Sequence, residues 1–181
     1  VYRKSTFLLE KLGKPVFSSE VTIVDEPHLS GRPGSRLYDA ECVGMTPRTL
    51  IDRGVLTMWV ADIGSGAKIG VPSTGHASGC SNLSILPGRL SRGELLAGIQ
   101  HGFLVTGLMG HGANIATGDF SVGAEGFLIE RGVSTRPVNK VTIAGNLLEM
   151  FRELRPASDL SDDGAVRAPT CFVGSMTIGG K

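Results

Sequence analysis

The sequence predicts a β-rich α+β domain of many short, mostly antiparallel strands, barrel- or sandwich-like, with two or three short helices. Three observations carry this reading. Short apolar runs alternate with polar residues in several places, at the period of two that a half-buried strand shows. Only a few stretches carry helical caps followed by apolar residues at helical spacing. Glycine is abundant, at 26 of 181 residues, roughly twice an ordinary usage of about 7%. It follows no period of three, so it points to turns, bulges and close backbone approaches rather than to a fibre.

Taken in order, Ser5–Leu12 has a helical pattern, with Phe7, Leu8, Leu9 and Leu12 apolar. Gly13 and Pro15 stop it. Pro15–Glu26 reads as a strand and His28–Gly34 as a loop. Arg48–Ile51 and Val55–Ala61 flank Asp52-Arg53-Gly54 as a hairpin. The glycine-rich stretch Gly64–Gly79 reads as a long ordered loop. Ser81–Pro87 alternates like a strand. Ser91-x-x-Glu94 is a capping box before Leu95, Leu96 and Ile99, with Gly102 as the stop. Strands follow at Phe103–Met109, Asp119–Val122, Gly126–Glu130 and Arg136–Ile143, with Arg131-Gly132 as a hairpin tip. Asn146-x-x-Glu149 opens another helix that ends before Pro156. Thr170–Ile178 reads as one final extended run.

Composition excludes several classes. The formal charge is +1, with 19% charged and 41% hydrophobic residues, which is unlike a disordered chain. No polybasic cluster favours direct nucleic-acid contact. No uninterrupted apolar run is long enough to span a membrane. A length of 181 residues suits one domain burying roughly 70% of its unfolded surface. Cys42, Cys80 and Cys171 are odd in number and lack CxxC spacing, so a reducing, cytoplasmic setting is the simplest reading. The chain opens on Val1 and enters a helix-like stretch at once. This predicts the C-terminal part of something larger.

The chemical signals taken singly are weak. His28, His76, His101 and His111 do not stand three or four residues apart, so no HExxH or HxxxH pair presents two imidazoles on one helical face. Cys80 and Ser81 follow Gly79, but Gly-Cys-Ser-Asn-Leu is not a nucleophile elbow. A pairing of Cys80 with His76 or His111 stays open. Cys171 reads as a small apolar residue in a strand. Asp25-Glu26 and Asp162-Asp163 read as solvated carboxylates. No phosphate-binding or dinucleotide glycine motif is complete. The most informative stretch is Gly110–Glu130. Its small residues leave main-chain groups open to an added strand, or else form bulges inside a sheet.

Several blocks, in order, resemble the PmbA/TldE proteins of the TldD/PmbA peptidase-like superfamily. They are Ser73–Gly79 (STGHASG), Ser81-Asn82-Leu83 and Pro87-Gly88. Thr117–Glu130 (TGDFSVGAEGFLIE), Pro137-Val138, Val141–Leu147 (VTIAGNL), Arg167–Thr170 and Met176–Ile178 follow. The resemblance implies that residues 1–181 are the C-terminal domain of a TldE-type subunit, a class once described as modulators of DNA gyrase. It further implies a cytoplasmic, two-component zinc peptidase that degrades or matures unfolded peptides. Zinc would sit in a TldD-like partner, on a HExxxH helix and a cysteine in a CGK-like motif. This sequence has no HExxxH. Where the cysteine motif is expected it reads Ser158–Gly164 (SDLSDDG).

The resemblance therefore assigns no catalytic residue, metal ligand or cofactor to this chain. Its motif positions point to a substrate groove or subunit interface at Lys68, Thr74, Gly75, Asn82, Asn114, Thr117, Gly118, Asp119, Ser121 and Asn146. The expected partners are the TldD-like subunit, an unfolded peptide and, for the isolated fragment, a second copy of itself. Two stretches depart from the family pattern. Ile63–Lys68 (IGSGAK) replaces a SYSARK-like run, and His76 stands where Asn is common. Two other functional classes compete. One is a protein-binding modulator of DNA gyrase with no peptidase role; the other is an autonomous hydrolase using Cys80 or Ser81.

Overall fold

A computed structural model describes residues 4–180. Its strands fall in three sheets, mostly antiparallel, with three short helices, and the described residues form no closed barrel.

The first sheet has the order β3-β2-β1-β4-β9. It comprises β1 (Ile23–Asp25), β2 (Arg48–Asp52), β3 (Val55–Leu56), β4 (Leu83–Ile85) and β9 (Val166–Arg167). The β2–β3 hairpin forms where expected. Asp52 pairs with Val55, and Arg53 and Gly54 between them have φ of 43° and 86°. Two consecutive left-handed residues make the tight turn whose twist matches the flanking strands. Under the sheet lie Val16, Val21, Ile51, Leu56 and Leu154, joined by Phe17, Trp59 and Cys171.

The second large sheet is a meander of β5 (His101–Met109), β6 (Asp119–Glu130) and β7 (Val133–Asn146), closed on one side by β11 (Thr177–Gly179). Arg131-Gly132 repeats the left-handed Arg-Gly turn, with φ of 52° and 78°. Val122, Ala124, Val141 and Ile143 alternate onto one face and pack with Phe103, Phe120, Val138 and Met176. Bulges interrupt the β6–β7 register beside Gly126. A Cβ there would sit 1.9 Å from the Leu104 carbonyl oxygen, so the close approach of β5 requires glycine. The remaining two-stranded sheet pairs β8 (Arg155–Pro156) with β10 (Cys171–Phe172).

Several expectations need correction. Ser5–Leu12 forms successive turns, not a helix. Its local bonds close three-residue turns, Leu9 N–H to Thr6 C=O at 3.2 Å and Lys11 N–H to Leu8 C=O at 2.9 Å, while Phe7 N–H and the following Gly13 N–H go to Ile115 C=O at 3.0 Å and Leu56 C=O at 2.8 Å. Of Pro15–Glu26 only β1 is a strand, and of Val55–Ala61 only β3. The supposed loop Gly64–Gly79 begins with a helix, α1 (Ile63–Ile69), capped by Asp62 and ended by left-handed Gly70. Ser65 reciprocates the Asp62 cap in the place where Glu or Gln is usual. The capping box of α2 (Arg92–Ala97) holds, but Gly98 rather than Gly102 ends it. For α3 (Leu147–Glu153) Asn146 alone caps, accepting from Leu148 N–H. The final run divides between β10 and β11, in different sheets, around Gly174 at φ 78°.

Candidate functional site

Two places concentrate polar chemistry. The first is interior and lies where β1, the loop after α1 and the start of β4 meet. Asp25, at the end of β1, is fully buried, not solvated as the sequence suggested. The alternation of Val21, Ile23 and Asp25 along an extended segment carries it inward. One carboxylate oxygen, Oδ1, accepts from Ser81 N–H and Ser81 Oγ–H, each at 2.8 Å. The other, Oδ2, lies 3.3 Å from His76 Nε2. That is ion-pair distance, but neither atom has an aligned hydrogen-bond partner. The sulfur of Cys80 completes the group. Among the described residues, Asp25, His76 and Cys80 bring three potential metal-ligand atoms within 4.8 Å of one another.

The walls of this cluster are well braced. Asn82 accepts from Gly34 N–H at 3.1 Å and donates to Glu26 C=O at 2.8 Å and Ser35 Oγ at 2.9 Å. Arg36 donates to the carbonyls of Gly79 at 2.6 Å and Cys80 at 3.0 Å, holding the turn that presents the thiol. Asp39 accepts from Ala77, Glu41 and Val43 N–H groups. The Ala77 bond above all holds its carboxyl below the usual range. Burial pushes the Cys80 thiol up, Asp25 pushes it further, and Arg36 offsets part of this.

These features oppose an autonomous hydrolase. A nucleophilic cysteine needs its thiolate favoured, and here the surroundings favour the thiol. Ser81 is buried, and its hydroxyl is spent on Asp25.

The second place is the surface around the loop between β5 and β6. Asn114 starts an Asx turn, its Oδ1 accepting from Ala116 N–H at 3.0 Å. Thr117 Oγ–H donates to Asp119 Oδ2 at 2.7 Å. Gly118, at φ 84°, packs against the Phe7 ring. Asp119 pairs across the sheet with Asn146, and Leu147 N–H donates to Gly118 C=O at 2.7 Å. Asn114, Thr117, Gly118, Asp119, Ser121 and Asn146 are thus brought to one end of the meander. Ser121, Asn114 and His111 line an open hollow there.

The other residues picked out by motif lie elsewhere. Lys68 is exposed on α1, Thr74 and Gly75 lead into His76, and Asn82 is wholly interior.

The strand-accepting segment is also placed differently from the expectation. β6 lies between β5 and β7, so both of its edges are already paired. The bulge reading of Gly110–Glu130 describes β6. Among the described residues the sheet has two edges, the three-residue β11 and the longer β5, and along β5 Val105, Leu108 and Met109 are exposed. The sequence missed Asp25 and this edge. Asp25 was legible in principle from its strand alternation, whereas edge position follows from strand order.

There is no HExxxH, and residues 158–164 contain no cysteine; residues 161–164 of that segment are exposed. No helix of the described residues is long and apolar enough to cross a membrane.

Comparison with known proteins places this architecture. A family model described as the PmbA/TldA metallopeptidase C-terminal domain matches residues 1–180. Metalloprotease PmbA of Escherichia coli O157:H7 is 40% identical over 182 aligned positions, covering 100% of this chain. A Haemophilus influenzae metalloprotease PmbA homolog is 39% identical over 100% of the chain. The chain spans 40% and 41% of the length of these two relatives. A candidate modulator of DNA gyrase from Bacteroides thetaiotaomicron superposes with a TM-score of 0.90 at 36% identity, covering 99% of this chain and 41% of that one. TldE from Thermococcus kodakarensis gives 0.82 at 27% identity, covering 98% and 44%.

Proposed function

Because the chain belongs to the PmbA/TldA metallopeptidase C-terminal domain family, we propose that it serves as the C-terminal domain of a non-catalytic TldE/PmbA-type subunit. The subunit works in a cytoplasmic two-component zinc peptidase that degrades or matures unfolded peptides. The catalytic zinc belongs to a TldD-type partner, and this chain helps to hold the substrate. The likeness to a TldE structure over 98% of the chain supports the subunit type. A TldD homolog that is 28% identical over 88% of the chain is in keeping with a paired relative.

One structural observation carries the substrate role, the unpaired edge of β5. An antiparallel edge strand offers its free N–H and C=O groups to any extended chain, with little dependence on side-chain identity. Exposed Val105 and Leu108 would add apolar contact beside those bonds. An unfolded peptide can lie there, whereas a folded protein seldom exposes a free strand.

The test is reconstitution. The purified protein, stripped of metal and resupplied with zinc, is expected to leave an unfolded peptide intact, and cleavage is expected once a TldD-type partner is added. Val105→Lys with Leu108→Lys should slow that cleavage without changing subunit association. Cleavage by this protein alone would overturn the assignment.

The name of the Bacteroides structure keeps a second reading in view, a protein-binding modulator of DNA gyrase. Retention of gyrase, with no TldD-type partner, in co-purification would favour it.

A further inference from the structure

The interior cluster poses a problem of protons. Thr74 Oγ accepts from Ala61 N–H at 2.8 Å and donates its only proton to Ala61 C=O at 3.1 Å. With that proton on Ala61 C=O, the 2.9 Å contact makes His76 Nδ1 the donor; with either tautomer, Nε2 and Asp25 Oδ2 form no aligned hydrogen bond. A neutral imidazole with its proton on Nδ1 has a bare lone pair on Nε2. That lone pair faces Asp25 Oδ2 at 3.3 Å, with the His76 side chain 2% and the Asp25 side chain 0% exposed. Neither atom has a hydrogen-bond partner. Two electron pairs meeting in the interior repel, and a buried polar atom left unpaired is costly. Something positive between them removes both penalties.

A single proton is one answer, and a metal cation is the other. The third member decides between them. The Cys80 sulfur lies within 4.8 Å of a ring nitrogen of His76 and a carboxylate oxygen of Asp25, and a proton shared by Asp25 and His76 gives it nothing to do. A relay triad would string cysteine, histidine and carboxylate in a line, one on each imidazole nitrogen. Here Nδ1 is held by Thr74 and Asp25 faces Nε2, so the histidine is not strung between the other two groups through its two nitrogens. Convergence of one oxygen, one nitrogen and one sulfur is the geometry of chelation.

We propose that Asp25, His76 and Cys80 form a buried binding site for one divalent cation of the zinc type. Mixed O/N/S donors suit this borderline-soft ion, which takes four ligands tetrahedrally with metal–N and metal–O distances of about 2.0–2.1 Å. Ligands at those distances in a tetrahedron stand roughly 3.3–3.4 Å apart, close to the observed 3.3 Å between Nε2 and Oδ2. Binding displaces the thiol proton of Cys80 to solvent, so that a thiolate meets the ion. The supporting shell is in place. Thr74 fixes the imidazole tautomer, Ser81 turns Asp25 Oδ2 toward the site, and Arg36 holds the Cys80 turn. Such partners orient ligands and set affinity in metal centres.

Asp25 and His76 are buried and Cys80 is half-buried, and the role of the site is structural. It clips the loop after α1 to β1, two segments far apart in sequence. The inference does not rest on the proposed peptidase role.

The full protein, treated with chelator and freed of any affinity tag, is titrated with Co(II) and with Zn(II). The expected result is one ion per chain, an intense sulfur-to-cobalt charge-transfer band with tetrahedral visible bands, and a higher Tm with either metal. Cys80→Ser should abolish the charge-transfer band, and His76→Asn should weaken binding at least tenfold, while circular dichroism confirms that each variant folds. If a variant does not fold, the wild-type cobalt spectrum alone decides. No stoichiometric metal, a cobalt spectrum lacking the thiolate band, or wild-type binding by both variants would overturn the proposal. Peptide cleavage by the isolated protein is a separate readout, and it bears only on the subunit assignment.

Discussion

The two large sheets solve opposite problems. In the first, the strands are only two to five residues long, and much of the order comes from loops pinned by buried polar groups. Asp25, Asn82 and Arg36 each tie two distant segments together. In the second, β5, β6 and β7 run 9, 12 and 14 residues, pack one modest apolar face and leave an edge open. The difference teaches that one region holds structure through enclosed contacts, while the other keeps main-chain groups available. An edge strand without a partner is a liability unless something is meant to pair with it.

Mutations can break this contrast or sharpen it. The largest effect is expected in the enclosed region. Ile51→Ala removes a buried side chain hemmed in by Val16, Val21 and Leu56, and should cost about 4 kcal/mol, measured by urea unfolding. The equivalent Ile143→Ala in the meander should cost about 2.5 kcal/mol, because the thinner core around it can collapse more readily. Equal losses would erase the proposed difference in enclosure.

Within the meander, Gly126→Ala forces a Cβ against the Leu104 carbonyl and should cost about 3 kcal/mol. Its signature is faster amide exchange along β5, with β1 and β2 unaffected. Loss of protection in both sheets together would mean that they do not differ in local stability.

Smaller changes act at the helix ends. Ser91→Ala removes the hydroxyl that caps α2 and should lower stability by about 1 kcal/mol. The Asp62 cap of α1 supplies a pH test. Its carboxyl is held below the usual carboxylate range, first by the Ser65 hydroxyl and then by the Ser65 amide. A depressed folded pKa adds stability above the unfolded value, and that contribution is lost as pH falls through the folded one. Asp62→Asn keeps a capping oxygen but cannot titrate, so its stability should fall less steeply than wild type as acid takes the pH below the usual carboxylate range. Identical acid profiles would show that the cap carries no pH dependence.

Much of the fold was legible because its signals are local. The two Arg-Gly turns, the Ser91 capping box and the long alternating strands each follow from a few neighbouring residues. The errors arose where distant partners decide. Phe7 and Gly13 give their N–H groups to Ile115 and Leu56, long-range contacts that pin the segment at both ends as turns where Ser5–Leu12 alone would favour a helix. Helix α1 was hidden by Gly64 and Gly66, poor helix formers; close packing demands the second, where a Cβ would lie 2.6 Å from the Val71 carbonyl oxygen.

The same division applies to function. The Asn114–Asn146 positions were chosen by family resemblance, and the structure brings them to one end of the meander because β6 and β7 pair through a tight turn. The approach of Asp25 to His76 and Cys80 spans about fifty residues of chain and depends on β1 pairing with β4. The open edge of β5 likewise exists only once the strand order is set.

Amide hydrogen exchange on the complex with a TldD-type partner, with and without an unfolded peptide, most directly probes the idea that β5 receives an extended guest. Slowed exchange at the β5 amides not bonded to β6, with β7 unchanged, is the expected result. Productive cleavage while β5 exchanges at its peptide-free rate would contradict it.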